Sequence, residues 1–211
     1  MHIPVHSSYI RRKDMDSVLN CLMTDSVGPG EYLEKFIRQA RESFALDHVI
    51  ATRSPLSALE LALTCLGMQA GSKIAISALS PSYYSAVFSR MDLHVSWLDV
   101  ESETGLPGPA VMSSIAGASA CVFFEGAGIA PNPEILSMAG IPIIEDVTES
   151  FGARGGDAKA GSAGVFTLVG LEGGSLLTSG GGSLVYANQR RDGLVLRNSV
   201  ESMPSHFLLS D

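Results

Sequence analysis

Apolar residues recur at helical spacing over 31–44 (EYLEKFIRQARESF), where Leu33, Phe36, Ile37, Ala40 and Phe44 form one stripe. A shorter helix is predicted at 15–23, before the Pro29-Gly30 break. HVIAT (48–52) reads as a strand. Ser54 then suits an N-cap and Pro55 the first helical position, opening a helix through SALELALTCLGM (57–68). Beyond it, runs that read as buried strands alternate with helical runs. Strands fall at 73–78, 94–100, 120–124 and 141–146, and helices at 83–91, 108–117 and 133–140. Two further strands, 165–169 and 183–187, flank a glycine-rich loop, and a polar helix follows over 188–200. Such alternation predicts a three-layer α/β/α fold around a mostly parallel sheet. Ligands of such sheets bind beyond the carboxyl ends of the strands. The segments of interest are therefore 53–57, 79–84, 125–130, 145–151 and 170–182.

The chain has 211 residues, 45% of them hydrophobic and 17% charged, enough for a sizeable core. Its net charge of −8 argues against a nucleic-acid partner, which would need a basic face. No apolar run is long enough to span a bilayer, and MHIPVHSSYIRRK lacks the apolar centre of a signal peptide. Cys21, Cys65 and Cys121 form an odd, unpatterned set in apolar contexts, which suggests reduced thiols and a cytoplasmic location. The histidines are scattered, and the one close pair, His2 and His6, lies in the terminus, so no metal site is expected. GAGIAP (126–131) keeps only the first two glycines of a dinucleotide fingerprint, and Walker and G-x-S-x-G motifs are absent.

EDVTESFGA (145–153) sets two acids at a strand end before a small polar turn. Together with GPGEYLEKF (28–36), SPLSALELAL (54–63) and SGGGSLV (179–185), it resembles the DegT/DnrJ/StrS-type sugar aminotransferases, from about Ile3 to the last residue. These are fold-type-I enzymes dependent on pyridoxal phosphate. The resemblance implies nucleotide-linked keto sugars as substrates, glutamate as amino donor, and a dimer with the site at the subunit interface. It also implies that Asp146 faces the pyridine nitrogen, that Tyr84 stacks on the ring, and that Glu149 lies near the ring oxygen.

Other positions depart from the family. Its phosphate-binding Ser-Gly-Thr reads Ser54-Pro55-Leu56 here, without one backbone N–H and one hydroxyl, so Ser54 is a vestige of that site. Its Schiff-base lysine falls on Gly174 or Ser175, depending on the direction of counting, and neither is an amine. The four lysines are Lys13, Lys35, Lys73 and Lys159, and Lys159 reads as a solvated loop residue. The asparagine-aromatic-arginine signature falls on His206, Phe207 and Leu208, which keep only the aromatic.

The expected layout is an N-terminal segment (1–25) and an aminotransferase-like large domain (26–211), without the small C-terminal domain. The expected role is structural or regulatory, without transaminase turnover or a covalent cofactor. Partners would be a second copy or an active relative, through an uncovered apolar face. The alternative is an enzyme of amino-sugar or polysaccharide biosynthesis that holds pyridoxal phosphate non-covalently at Asp146 and Tyr84. A third reading is a decayed gene product without a selected role. A crevice beside Asp146 with room for a ring favours binding, and one filled by Pro55, Leu56 or the glycine loop opposes it.

Overall fold

Seven strands form the central sheet of the computed structural model, which describes residues 10–24, 30–115, 117–201, 203–204 and 207–209. The elements run α1 (Arg12–Met23), α2 (Glu31–Phe44), β1 (Val49–Thr52), α3 (Pro55–Cys65), β2 (Lys73–Ser77), α4 (Tyr84–Arg90), β3 (His94–Leu98), α5 (Pro109–Ser113) and β4 (Ala120–Phe124). A 3-10 turn, Gly126–Gly128, precedes α6 (Pro133–Ser137) and β5 (Ile143–Asp146). The small hairpin of β6 (Arg154–Gly155) and β7 (Ala158–Lys159) leads to β8 (Phe166–Gly170), β9 (Ser183–Ala187) and α7 (Arg190–Glu201).

The sheet order is β1-β9-β8-β5-β4-β2-β3. All neighbours are parallel except β9, which runs antiparallel to both β1 and β8. The mostly parallel expectation therefore holds, with one reversed strand. Since β9 starts where β8 ends (Gly170 opposite Ser183), the glycine-rich loop lies on the edge that carries the other strands' carboxyl ends. Loops 53–54, 78–83, 125–132, 147–153 and 171–182 gather at that edge.

Alternation along each strand builds the three layers. Ile74, Ile76, Val122, Ile144, Phe166, Leu168 and Val185 face α3, α4 and α7. Ala75, Cys121, Phe123 and Ile143 face α5 and α6, while Val49, Val147, Val169, Leu184 and Tyr186 face α2. Helix α3 is the buried one, with Leu59, Leu61 and Leu63 all 0% exposed. Its start follows the expected cap: Ser54 is extended, and its Oγ accepts the Ser57 N–H at 3.2 Å.

Several elements are shorter than their sequence patterns. α5 and α6 have five residues each, and β5 starts two residues after the predicted strand. Positive-φ glycines at 117 and 140 turn the chain at these places. The β6–β7 hairpin was not predicted, because two-residue strands carry no periodic signal. Of the sequence expectations, His2, His6 and His206 lie outside the described residues. Among the described residues no helix is long and apolar enough to cross a membrane.

Leu61→Ala removes three buried carbons where neighbouring layers leave little room to collapse, so a loss of ~2–5 kcal/mol is expected. Urea unfolding at neutral pH measures it. A loss below ~1 kcal/mol contradicts the enclosed placement of α3.

Candidate functional site

Asp146 ends β5, the middle strand of the sheet, and is 1% exposed. Its side chain lies on the same face as Ile144, toward α4. Thr148 donates both its backbone N–H (3.0 Å) and its hydroxyl (2.5 Å) to Oδ1. Oδ2 accepts the Tyr84 hydroxyl. The Thr148 hydroxyl in turn accepts the Gly170 N–H at 2.8 Å, which ties the end of β5 to the end of β8. Burial pushes the Asp146 carboxyl above its ordinary range, and the Thr148 and Tyr84 hydroxyls pull it partly back. Tyr84 is raised by its own burial and then by the neighbouring Asp146 charge.

The expected site residues occupy quite different environments. Tyr84 sits beside Asp146, as the resemblance implies, but its ring is 1% exposed and packs edge-on to Phe88 inside the core. Tyr83, which the sequence reading passed over, is the half-buried ring of the pair, 5.1 Å from Tyr84 between centroids and nearly perpendicular to it. Glu149 is exposed and accepts the Ala127 N–H at 2.9 Å, bracing a turn in which Ala127 has a φ of 56°. Ser54 spends its hydroxyl on Ser57. Pro55 is buried and Leu56 half-buried against the core.

Close packing at this edge is visible at Gly170. A Cβ there would lie 3.0 Å from Thr148 Cγ2 and 3.4 Å from Pro55 Cγ. A side chain there would make Thr148 and Pro55 give by a few tenths of an ångström, so glycine suits the close approach over the strand end. The other end of the same loop is different. Gly173 and Gly174 have nothing within 4 Å of an added Cβ, and neither has a positive φ. Ser175 is half-buried.

A second carboxyl pair lies on the opposite face. Glu145 accepts N–H groups from Gly161 (3.2 Å), Ala163 (2.8 Å) and Gly164, and so holds the 161–164 turn against β5. Glu125, immediately after β4, is 0% exposed. Its Oε2 accepts the Ser150 hydroxyl at 2.7 Å, and its Oε1 meets no hydrogen-bond partner among the described residues. Burial, reinforced by the adjacent Glu145, pushes the Glu125 carboxyl up to about 9. The sequence marks 125–130 as a strand-end segment, but not that Glu125 is buried beside Glu145.

A model of the DegT/DnrJ/EryC1/StrS aminotransferase family matches residues 8–193. L-glutamine:2-deoxy-scyllo-inosose aminotransferase of Micromonospora echinospora is 26% identical over 168 residues, covering 75% of this chain and 40% of that protein. GDP-perosamine synthase of Escherichia coli O157:H7 is 23% identical over 204 residues, covering 90% of this chain and 54% of that protein. The chain thus spans about half the length of the curated relatives it matches. Among solved structures, E. coli GDP-4-keto-6-deoxy-D-mannose-3-dehydratase with bound hydrated PLP superposes with a TM-score of 0.82 at 20% identity, covering 93% of this chain and 54% of that one. A likeness at that identity shows the fold.

The Glu125 shift has a measurable consequence. Between the ordinary carboxyl range and about 9, the folded chain keeps a proton that the unfolded chain has released. Stability from this group is therefore full at acid pH, falls as pH rises through that window, and stays lost above it. Glu125→Gln keeps the shape without titrating. It is expected to exceed the parent by at least ~1 kcal/mol at pH 8, with the gap closing near pH 4. Urea melts across pH measure this, and parallel curves for the two proteins refute the assignment.

Proposed function

The chain belongs to the DegT/DnrJ/EryC1/StrS aminotransferase family, and from that premise we propose that it is an aminotransferase-like protein without transaminase turnover of its own, serving a structural or regulatory role. The carrying observation is where its primary amines lie. Asp146 closes β5 at the carboxyl edge and faces α4. Lys73 opens β2 at the amino edge. Lys35 is exposed on α2, which covers the opposite face, and Lys159 borders a cavity with Phe44 and Tyr186 on that same face. Lys13 is exposed on α1. The position expected for the reactive lysine, Gly174 or Ser175, carries no amine, and the open space at Gly174 makes that absence chemical rather than steric.

The remaining residues do not fit covalently held pyridoxal phosphate. Pro55 offers the phosphate no N–H, and Ser54 already occupies the Ser57 N–H at the start of α3. The Asp146 carboxylate already accepts three hydrogen bonds from its own chain, two on Oδ1 and one on Oδ2, which leaves a single acceptor site on Oδ2. The ring expected to stack is packed in the core. These features support a role carried by the surface.

Helix α1 offers such a surface. Met15, Val18, Leu19 and Leu22 form one stripe at i, i+3, i+4 and i+7, between 51% and 60% exposed, while Cys21 on another side is buried. An amphipathic helix with its apolar side in water favours a second copy as cover.

Titration with pyridoxal phosphate, borohydride reduction and peptide mass mapping test the catalytic part. No pyridoxyl-lysine that depends on Asp146 is expected. An adduct formed by the parent and lost in Asp146→Asn overturns the reading. Light scattering tests the association. A dimer is expected for the parent and a folded monomer for Leu19→Asp/Leu22→Asp, and a parent that stays monomeric at high concentration removes self-association from the proposal.

A further inference from the structure

The side of the sheet away from Asp146 holds a cavity of about 140 Å³ between the end of α2 and the β6–β7 hairpin. Three rings make its apolar wall. Phe44 lies 4.9 Å from Phe151 and 6.0 Å from Tyr186 between centroids, with interplanar angles of 57° and 46°. Leu46 completes that wall, and Asn188 and Lys159 also border the space. Phe44 and Phe151 are half-buried and Tyr186 is 5% exposed, so the rings line the inner part, whereas Lys159 is exposed at the mouth.

We infer that this cavity binds a small flat anion of the arenecarboxylate class, one six-membered ring with a single carboxylate. Size limits the guest: a cavity of about 150 Å³ with an apolar lining takes up benzene, and a fused bicycle needs more. Shape favours an aromatic guest, which can meet the three tilted rings edge to face. Charge selects the anion. Among the described residues, Lys159 is the only charged one bordering the cavity. Among the described residues it forms no ion pair, since the two present join Arg11 to Asp14 and Arg90 to Glu60. A carboxylate at the mouth gains a charge-assisted hydrogen bond from its ammonium group.

Orientation follows from what lies behind the wall. The Gly161 N–H that borders the cavity points inward to Glu145. Both Asn188 Nδ2 hydrogens are also committed, to the carbonyls of Gly161 (2.9 Å) and Gly164 (3.1 Å). The inner end thus offers a carboxylate no donor from these groups and backs onto the Glu145 carboxyl oxygen that takes the Gly161 N–H. The ring enters first and the carboxylate stays at Lys159. A cationic guest of the same size would set its charge against Lys159, and a neutral one would forgo the ion pair.

The full chain, isotope-labelled, is titrated with benzoate, benzyl alcohol and benzylamine by NMR. Benzoate is expected to shift Phe44, Phe151, Lys159 and Tyr186 resonances saturably. Benzyl alcohol should bind about tenfold more weakly, and benzylamine more weakly still. Lys159→Gln, at an exposed position, should lose about tenfold in benzoate affinity while Lys159→Arg retains it. Ser162→Trp, whose exposed side chain borders the cavity, should block entry. Benzoate that leaves these resonances unmoved, or that binds Lys159→Gln as well as the parent, overturns the inference. Neither result bears on Asp146, which faces the other side of the sheet.

Discussion

A carboxyl group enclosed at the end of the middle strand is the constraint around which this edge of the molecule is built. An isolated buried carboxylate is too costly to persist, so Asp146 must be given donors or a proton. Thr148 supplies two hydrogen bonds from two residues along the chain, and Tyr84 supplies one from the start of α4. Drawing the Tyr84 hydroxyl inward places its ring in the core beside Phe88. The Thr148 hydroxyl passes the link on to Gly170, so β5, β8 and α4 are joined through one side chain. Pro55 then closes over the same glycine. These hydrogen bonds tie the carboxylate to other parts of its own chain.

The next residue back governs the opposite face. Because side chains alternate, Glu145 points away from Asp146 and gathers three backbone N–H groups of the 161–164 turn. That turn connects the β6–β7 hairpin to β8 and forms part of the wall of the aromatic cavity. Two adjacent acids thus organise two unrelated neighbourhoods. Glu125 adds a third carboxyl, pushed above its ordinary range by burial and by the adjacent Glu145.

Much of the architecture was legible because buried parallel strands and amphipathic helices leave different periodicities. The 31–44 stripe, the Ser54-Pro55 helix start and all seven sheet strands were readable within a few residues. The reversed direction of β9 was not, since strand polarity leaves no mark on an apolar run. The two-residue β6 and β7 were also silent. At the site, the 145–146 acids stood out because charges seldom end an apolar strand. What sequence could not supply was side-chain destination. Tyr83 and Tyr84 are indistinguishable as letters, yet one borders the edge and the other fills the core. Thr148 and Glu125 lay in segments the sequence marked for inspection, but their partners Gly170 and Ser150 are distant in the chain and could not be read from it.

The glycine-rich loop shows how the fold and its chemistry separate. Gly170 suits the packing, since a side chain there would press into Thr148 and Pro55. Gly174, four residues on, is demanded by nothing: its surroundings are open, and its backbone is one that any residue adopts. A side chain at such a position contributes little to the core, so the identity of residue 174 has little effect on the fold. The apolar layers around Leu59, Leu61, Ile144 and Phe166 are complete without it. The sheet, the buried aspartate and the cap of α3 are each held by internal contacts, so the scaffold does not depend on which side chain stands at 174.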